Sequence, residues 1–107
     1  MTTVTFQDET AGGKPLTALE VSGLPDRMTA RDLLHLRVRE EVTRHNADPA
    51  NTPLDRPTEA ARAERAFLSN AFFVLTPTHQ VTELDDVIDL TTTPTLTFLR
   101  LVPLAGG

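Results

Sequence analysis

The sequence predicts an α+β fold in which a helical layer covers one face of a mixed β-sheet. Three observations predict it. Alternating β-branched side chains open the chain around a glycine pair, apolar residues recur at helical spacing over residues 29–45, and an alternating strand follows at residues 95–102. Because an amphipathic helix and a half-buried sheet each need an apolar partner, a two-layer arrangement is expected.

The first predicted element is a β-hairpin. Residues 2–7 (TTVTFQ) predict one strand and residues 16–22 (LTALEVS) the returning strand. Gly12 and Gly13 lie between them and supply the positive φ that a tight hairpin turn requires. The returning strand should end at residues 23–26 (GLPD), since proline cannot continue a ladder and glycine and aspartate favour turns.

The second predicted element is a helix over residues 29–45. Thr29 is suited to cap its first turn, with Asp32 at the third helical position. Its apolar stripe consists of Ala30, Leu33, Leu34, Val38 and Val42. The expected partners of this stripe in the sheet are Phe6, Leu19 or Val21, and Leu99 or Phe98.

A proline-rich loop at residues 46–57 separates this helix from a second one at residues 58–70, which either Thr58 or Asp55 would cap. The rest of the chain predicts short elements: a buried strand at 72–75, an edge strand at 79–83, one helical turn at 84–90 and the last strand at 95–102. Pro103 ends the last strand.

Arg100 does not suit its position in the last strand. Strict alternation puts it on one face with Leu96 and Phe98, opposite Leu99 and Leu101. An unpaired buried guanidinium is too costly. Either that face is partly open to solvent at Arg100, or a bulge redirects the side chain.

The composition is that of an ordinary globular chain, with 39% hydrophobic and 23% charged residues. Its 107 residues suit one domain, expected over residues 1–103, with a short tail at 104–107. The net charge of −5 argues against nucleic acid as a partner, and the apolar runs are too short for a membrane span. The first residues lack a signal-peptide pattern, so a cytoplasmic location is the default expectation.

No set of residues predicts an intrinsic active site. Residues 11–15 (AGGKP) lack the first glycine of a phosphate loop and place proline where a magnesium-binding hydroxyl belongs. No metal site is expected, because the histidines are scattered and have no cysteine partners: His35, His45 and His79. A solvated surface is the favoured interpretation of the acidic cluster Glu83, Asp85, Asp86 and Asp89, with a docking patch as the alternative.

The order of hairpin, long helix, variable middle and last strand is that of the β-grasp fold, in which the first and last strands pair in parallel. The sequence given then closes with Pro103-Leu104-Ala105-Gly106-Gly107. In this order and ending the chain resembles the ubiquitin-like superfamily, in particular its bacterial members. TLTFLRLVPLAGG is similar to the last strand and diglycine tail of ubiquitin, and PLAGG is more similar still to the sulfur carriers of molybdopterin and thiamine synthesis. Residues 46–70 lie outside this resemblance and are expected to be an insertion.

The resemblance implies that function resides in the terminal carboxylate. In the family, an ATP-dependent enzyme adenylates the last glycine, and the acyl group passes to a thiol, a sulfur donor or an amine. By match, Gly107 would carry the reacting carboxylate and Gly106 would be the second thin position. Leu104 and Ala105 would lie along the channel of the enzyme, and Leu101 would help to dock the strand end.

The partners implied by the resemblance are an adenylating activating enzyme and, beyond it, a conjugating enzyme, a deubiquitinase-like metalloprotease and target proteins. ATP would be used by the activating enzyme, and no cofactor is expected in the chain itself. The tail departs from ubiquitin, because Pro103 and Ala105 stand where ubiquitin has two arginines. This departure argues against recognition by the eukaryotic activating enzymes.

Three functions stay open at this point. The chain is a modifier joined to target amines, a sulfur carrier that forms a terminal thiocarboxylate, or a β-grasp interaction module that is never conjugated. The long last strand and the insertion favour the modifier over the compact sulfur carriers. Lys14, the only lysine in the sequence, is the expected acceptor in any lysine-linked self-polymer.

Overall fold

The computed structural model describes residues 1–100, which form seven strands and two helices. In chain order these are β1 (Thr2–Thr10), β2 (Pro15–Leu24), β3 (Arg27–Thr29), α1 (Ala30–Asn46), α2 (Arg56–Leu68), β4 (Phe72–Leu75), β5 (Gln80–Val81), β6 (Val87–Asp89) and β7 (Thr95–Arg100). The predicted α+β class is confirmed.

Five strands form a mixed sheet in the order β2-β1-β7-β4-β5. The first strand, β1, pairs in parallel with β7, from Thr5 opposite Thr95 to Thr10 opposite Arg100. All the other pairs in this sheet are antiparallel. The predicted parallel pairing of first and last strands is therefore present, and the architecture is consistent with a β-grasp-like fold.

The opening hairpin has the predicted turn but longer strands. Gly13 adopts a φ of 80° in the turn, and its N–H donates to the carbonyl of Thr10 at 2.8 Å. The returning strand continues past its predicted end to Leu24, because Gly23 adopts a φ of 76° next to a register shift in the β1–β2 pairing. A glycine at this point lets the strand absorb an irregularity without ending.

Helix α1 begins as predicted, with the Thr29 hydroxyl accepting a hydrogen bond from the backbone N–H of Asp32 at 3.1 Å. All five residues of the predicted stripe are buried, and Leu36 is buried with them. Leu36 lies off the predicted stripe. It is buried because α1 also contacts α2 and β3, so the helix is covered on more than its sheet-facing side.

Helix α2 starts two residues earlier than predicted. Asp55, one of the two predicted caps, accepts a hydrogen bond from the backbone N–H of Thr58 at 3.1 Å, and Pro57 occupies the first turn. Proline suits that position because its missing N–H would have no intrahelical partner there. The helix lies inside the predicted insertion at residues 46–70.

The helical turn predicted at residues 84–90 is wrong. A turn at residues 84–85 is followed by β6, which pairs with β3 in a separate two-stranded sheet. Ile88 is buried while Val87 and Asp89 are exposed, which is the two-residue period of a strand. The sequence analysis did not predict β3, and the expected edge strand at 79–83 is the shorter β5.

The core lies on the helix-facing side of the sheet, and a chain of aromatic contacts runs through it. The Phe6 and Phe98 ring centroids lie 5.8 Å apart, those of Phe98 and Phe72 6.3 Å, and those of Phe72 and Phe67 6.0 Å. These contacts join β1, β7 and β4 to α2. Of the two predicted partners in β7, Phe98 faces the helices and Leu99 does not. Of the two predicted partners in β2, Leu19 and Val21, only Val21 packs against the main core cluster.

Candidate functional site

The predicted reactive residues follow the central strand β7. Those that lie outside the described residues are Leu101, Leu104, Ala105, Gly106 and Gly107. The last described residue is Arg100, which pairs with Thr10 of β1 and with Phe72 of β4. The structure therefore describes the end of the sheet from which the predicted reactive segment continues.

Arg100 lies on the helix-facing side of the sheet, on the same face as the buried Leu96 and Phe98. The pairings of β7 with β1 and β4 run through Arg100 without a register shift, so no bulge redirects its side chain. The side chain is 32% exposed. The first of the two predicted alternatives is correct, because this face of the sheet opens to solvent at Arg100.

Asp8 forms the centre of a charged network at this end of the sheet. Although the residue is only 8% exposed, its carboxylate accepts hydrogen bonds from Arg37 Nε at 3.2 Å, from Arg37 Nη2 at 2.6 Å and from the Thr17 hydroxyl at 3.1 Å. A guanidinium nitrogen of Arg100 lies 3.7 Å away. One nearly buried carboxylate thus connects β1 with α1, β2 and β7.

Arg37 is held on three sides. Besides Asp8, it pairs with Glu41 one helical turn later, at 2.8 Å, and its guanidinium carbon lies 4.7 Å from the centre of the Phe98 ring. A cation over an aromatic face is stabilised by the ring quadrupole. The sequence analysis missed this network because Asp8 and Arg37 are far apart in the chain. The available signal was an aspartate at an inward position of a strand.

Lys14, the predicted acceptor, lies in the β1–β2 turn and is exposed. Its carbonyl accepts a hydrogen bond from the N–H of Thr10 at 3.0 Å, and Thr10 is the β1 neighbour of Arg100. The only lysine and the end of β7 are therefore at the same end of the sheet. Within residues 1–100, no carboxylate forms an ion pair with the Lys14 amino group.

The opposite face of the sheet carries an apolar group that the sequence analysis missed, called here the outer apolar patch: Phe73, Leu75 and Leu99. Phe73 and Leu99 are direct partners across β4 and β7, and all three side chains are half-buried. Their neighbours in sequence, including Val74 and Phe98, face the core. The alternation of side chains in residues 72–75 (FFVL) and 95–100 (TLTFLR) was the signal that could have predicted this patch.

A second group of titratable side chains, centred on Glu64, joins α2 to α1. Glu64 of α2 pairs with His35 and, at 3.4 Å, with Arg31 of α1, while Arg31 also pairs with Asp85. The hydrogen bond with His35 lowers the pKa of Glu64, and the hydrogen bond with Asp85 raises the pKa of Arg31. In the part of the chain that the structure describes, no group of three or more His, Cys, Asp or Glu side chains could hold a metal ion.

Two acids of the predicted acidic cluster stabilise turns. The Asp86 carboxylate accepts a hydrogen bond from the backbone N–H of Glu83 at 3.3 Å. Asp89 accepts hydrogen bonds from the Thr91 hydroxyl at 2.5 Å and from the Thr91 N–H at 3.0 Å, and these bonds lower the pKa of Asp89. These contacts give the two residues a local structural role.

Comparison of the chain with protein-family models gives no match, and a search of curated proteins finds no similar sequence. Neither helix of the described residues is long and apolar enough to cross a membrane. The functional interpretation therefore depends on the residues and geometry of this chain.

Proposed function

We propose that this chain is a ubiquitin-like protein modifier, activated at Gly107 by an adenylating enzyme and transferred to an amine of a target protein. The observation that supports the proposal is the parallel pairing of β1 with β7 at the centre of the sheet. That arrangement agrees with the resemblance, and Gly106-Gly107 follow β7 in sequence after five intervening residues.

The proposed chemistry requires from this chain only a carboxylate at the end of a segment of residues without side chains. A carboxylate oxygen of Gly107 attacks the α-phosphorus of ATP, and the bond to the pyrophosphate group breaks, giving an acyl adenylate and pyrophosphate. A thiol or amine then attacks the acyl carbon, and AMP leaves. Because glycine has no Cβ, Gly106 and Gly107 would let the backbone enter a narrow channel.

The described residues contribute the platform in this proposal. The contacts of Asp8 with Arg37 and Arg100 tie the end of β7 to its neighbouring elements. The outer apolar patch offers the activating enzyme a surface on the other face of the same strands. The docking role that the resemblance implies for Leu101 belongs to the same proposed contact with the enzyme.

Each of the two alternative functions, interaction module and sulfur carrier, is supported by one observation. The outer apolar patch also suits an interaction module that binds a partner through its sheet without being conjugated. The PLAGG ending suits a sulfur carrier, in which a sulfur donor replaces the amine and the product is a thiocarboxylate.

The test is the reaction of the purified chain with a candidate adenylating enzyme and ATP, read out as pyrophosphate release. We expect release with the wild type and none after deletion of Gly106 and Gly107. A second variant, extended by one serine after Gly107, keeps both glycines but displaces the carboxylate, and it should also be inactive. Leu68→Ala, at an exposed site on α2, is the control and should react like the wild type.

Mass spectrometry of the products separates the three functions. An amide-linked adduct on a target protein supports the modifier, whereas exchange of oxygen for sulfur at the terminus supports the carrier. The intact mass of the natural protein shows whether Gly107 carries the free carboxylate or must first be exposed by cleavage. If the folded chain releases no pyrophosphate with any candidate enzyme, the interaction module is favoured.

A further inference from the structure

A cavity of about 310 Å³ lies between α1, α2 and the β4–β7 strand pair. The walls of this cavity, called here the interhelical cavity, are mainly apolar: Leu34, Val38, Ala63, Ala66, Phe72 and Phe98. Small-molecule sites in proteins have volumes of about 300–1,000 Å³ and combine apolar walls with a few polar groups. The interhelical cavity meets both conditions.

The cavity exists because α2 covers the core with small side chains. Ala63 and Ala66 form its wall on the α2 side, while Leu68 of the same helix is 68% exposed. On the opposite wall, Val38 and Val42 are buried but lie outside the main core cluster. The chain thus borders the space between α1 and α2 without filling it, and the space is partly open to solvent.

Three arginines also line this cavity, and their hydrogen-bonding states differ. Arg37 is engaged by Asp8 and Glu41. The Arg100 guanidinium lies 3.7 Å from Asp8, beyond hydrogen-bonding distance, and Arg62 lies 3.5 Å from Glu59 with its side chain 69% exposed. Among residues 1–100, no side-chain hydrogen bond occupies the donors of Arg100 or Arg62. Both therefore retain donors for an anion.

The carboxylates on the cavity wall do not cancel this preference. Glu41 is paired with Arg37, which is also bonded to Asp8. Within residues 1–100, the Glu59 carboxylate makes only the 3.5 Å contact with Arg62. An anion placed between Arg62 and Arg100 would gain hydrogen bonds that the contacts at 3.5 and 3.7 Å do not provide. The charges on the wall nearly balance, and the donors that Arg62 and Arg100 leave open among residues 1–100 favour an anionic ligand with an apolar body.

We propose that the interhelical cavity binds a small aromatic carboxylate, with its rings against Phe72, Ala63 and Ala66 and its carboxylate at Arg100 and Arg62. The half-buried Phe72 offers its ring to a planar ligand, whereas Phe98 behind it is only 2% exposed and already carries the Arg37 guanidinium over its ring. A dry cavity of about 150 Å³ accommodates benzene, so this larger space suits a bicyclic acid. Binding here does not require activation at Gly107, although the site shares Arg100 with the proposed platform, and it faces away from the outer apolar patch.

The experiment is a titration of the isotopically labelled full chain with 2-naphthoate, followed by NMR shifts of backbone amides. We expect saturable shifts at Ala63, Phe72, Phe98 and Arg100. Ala63→Leu fills the space and should weaken binding at least about tenfold. Ala61→Leu, on the exposed side of the same helix, is the matched control and should leave the affinity unchanged.

The charge assignment is tested with Arg62→Gln, a substitution at an exposed position that leaves folding intact. It should weaken 2-naphthoate binding about fivefold or more and leave the binding of uncharged 2-methylnaphthalene unchanged. This variant decides the question even if Ala63→Leu fails to fold. The proposal is overturned if millimolar 2-naphthoate produces no shifts, if Ala63→Leu binds as tightly as Ala61→Leu, or if Arg62→Gln weakens both compounds equally.

Discussion

Arg37 holds the Asp8 carboxylate through two parallel hydrogen bonds, from Nε at 3.2 Å and from Nη2 at 2.6 Å. The side chains are 13% and 11% exposed, so the pair is largely shielded from water. The loss of hydration offsets much of the attraction in such a pair, whereas removal of one partner leaves the other charge uncompensated. The pair fixes the position of α1 relative to β1 beside the end of β7.

Replacing Arg37 tests that interpretation. Arg37→Met should lower the free energy of unfolding by roughly 3 kcal/mol, because the nearly buried Asp8 then keeps only the 3.7 Å contact with Arg100 as an ion pair. Urea denaturation followed by far-ultraviolet circular dichroism measures the change. Arg39→Met is the control, since Arg39 is 50% exposed and has a single 3.7 Å ion pair, and it should change stability by less than about 0.5 kcal/mol. Equal effects of the two substitutions would refute a special role for Arg37.

The core packing of α1 predicts a second outcome. Leu34 is 2% exposed and belongs to the main core cluster, so Leu34→Ala should cost about 2–5 kcal/mol. Leu68→Ala removes the same atoms from a side chain that is 68% exposed and should be nearly neutral. The midpoints of urea denaturation of the two variants give the comparison. An unchanged midpoint for Leu34→Ala would mean that α1 does not pack against the sheet through this residue.

Patterns local in sequence predicted most of the fold. The hairpin, α1, α2 and β7 each carry a turn, cap or alternation signal within their own residues, and all four are present. The pair β3 and β6 was missed because three-residue strands show too little alternation. Their partners, such as Met28 and Ile88, are distant in the chain. Only the tertiary structure brings such segments together.

Part of the candidate site could likewise be predicted from the sequence, and part of it could not. The diglycine ending is visible in sequence, whereas the contacts of Asp8 with Arg37 and Arg100 depend on strand register and helix placement. Val38 and Val42 show that helical spacing predicts burial but does not predict which neighbours a buried side chain contacts. Their spacing correctly predicted burial, but these two residues line the interhelical cavity instead of joining the main core cluster.

The Glu64 contact predicts how stability depends on pH. The hydrogen bond with His35, with a further contribution from Arg31, lowers the pKa of Glu64 in the folded chain. The contribution to stability is therefore complete above the ordinary pKa of a glutamate and is lost as the pH falls through the lowered value. Glu64→Gln should destabilise the chain by at most about 1 kcal/mol at neutral pH, because solvent screens this partly exposed pair.

Urea denaturation of the wild type and Glu64→Gln across the acidic range measures the gap between them, which should close towards low pH. Glu83→Gln, in an exposed loop, provides the comparison and should show a smaller gap at neutral pH. A gap for Glu64→Gln that stays constant from neutral to strongly acidic pH would show that the carboxylate charge does not stabilise the contact between α1 and α2.

The position of Lys14 predicts the linkage of any self-polymer, given the proposed activation at Gly107. Lys14 is the only lysine in the sequence and is exposed in the β1–β2 turn, so an amide-linked polymer must branch there or at the amino terminus. Lys14→Arg with a blocked amino terminus should abolish self-polymers while conjugation to other proteins continues. Adding Arg39→Lys to that variant supplies a new amine at an exposed site on α1 and tests whether branching requires the amine at position 14. Intact-mass measurement and peptide mapping would identify the linkage. A self-polymer that persists in the lysine-free, blocked chain would exclude amide branching at both amines.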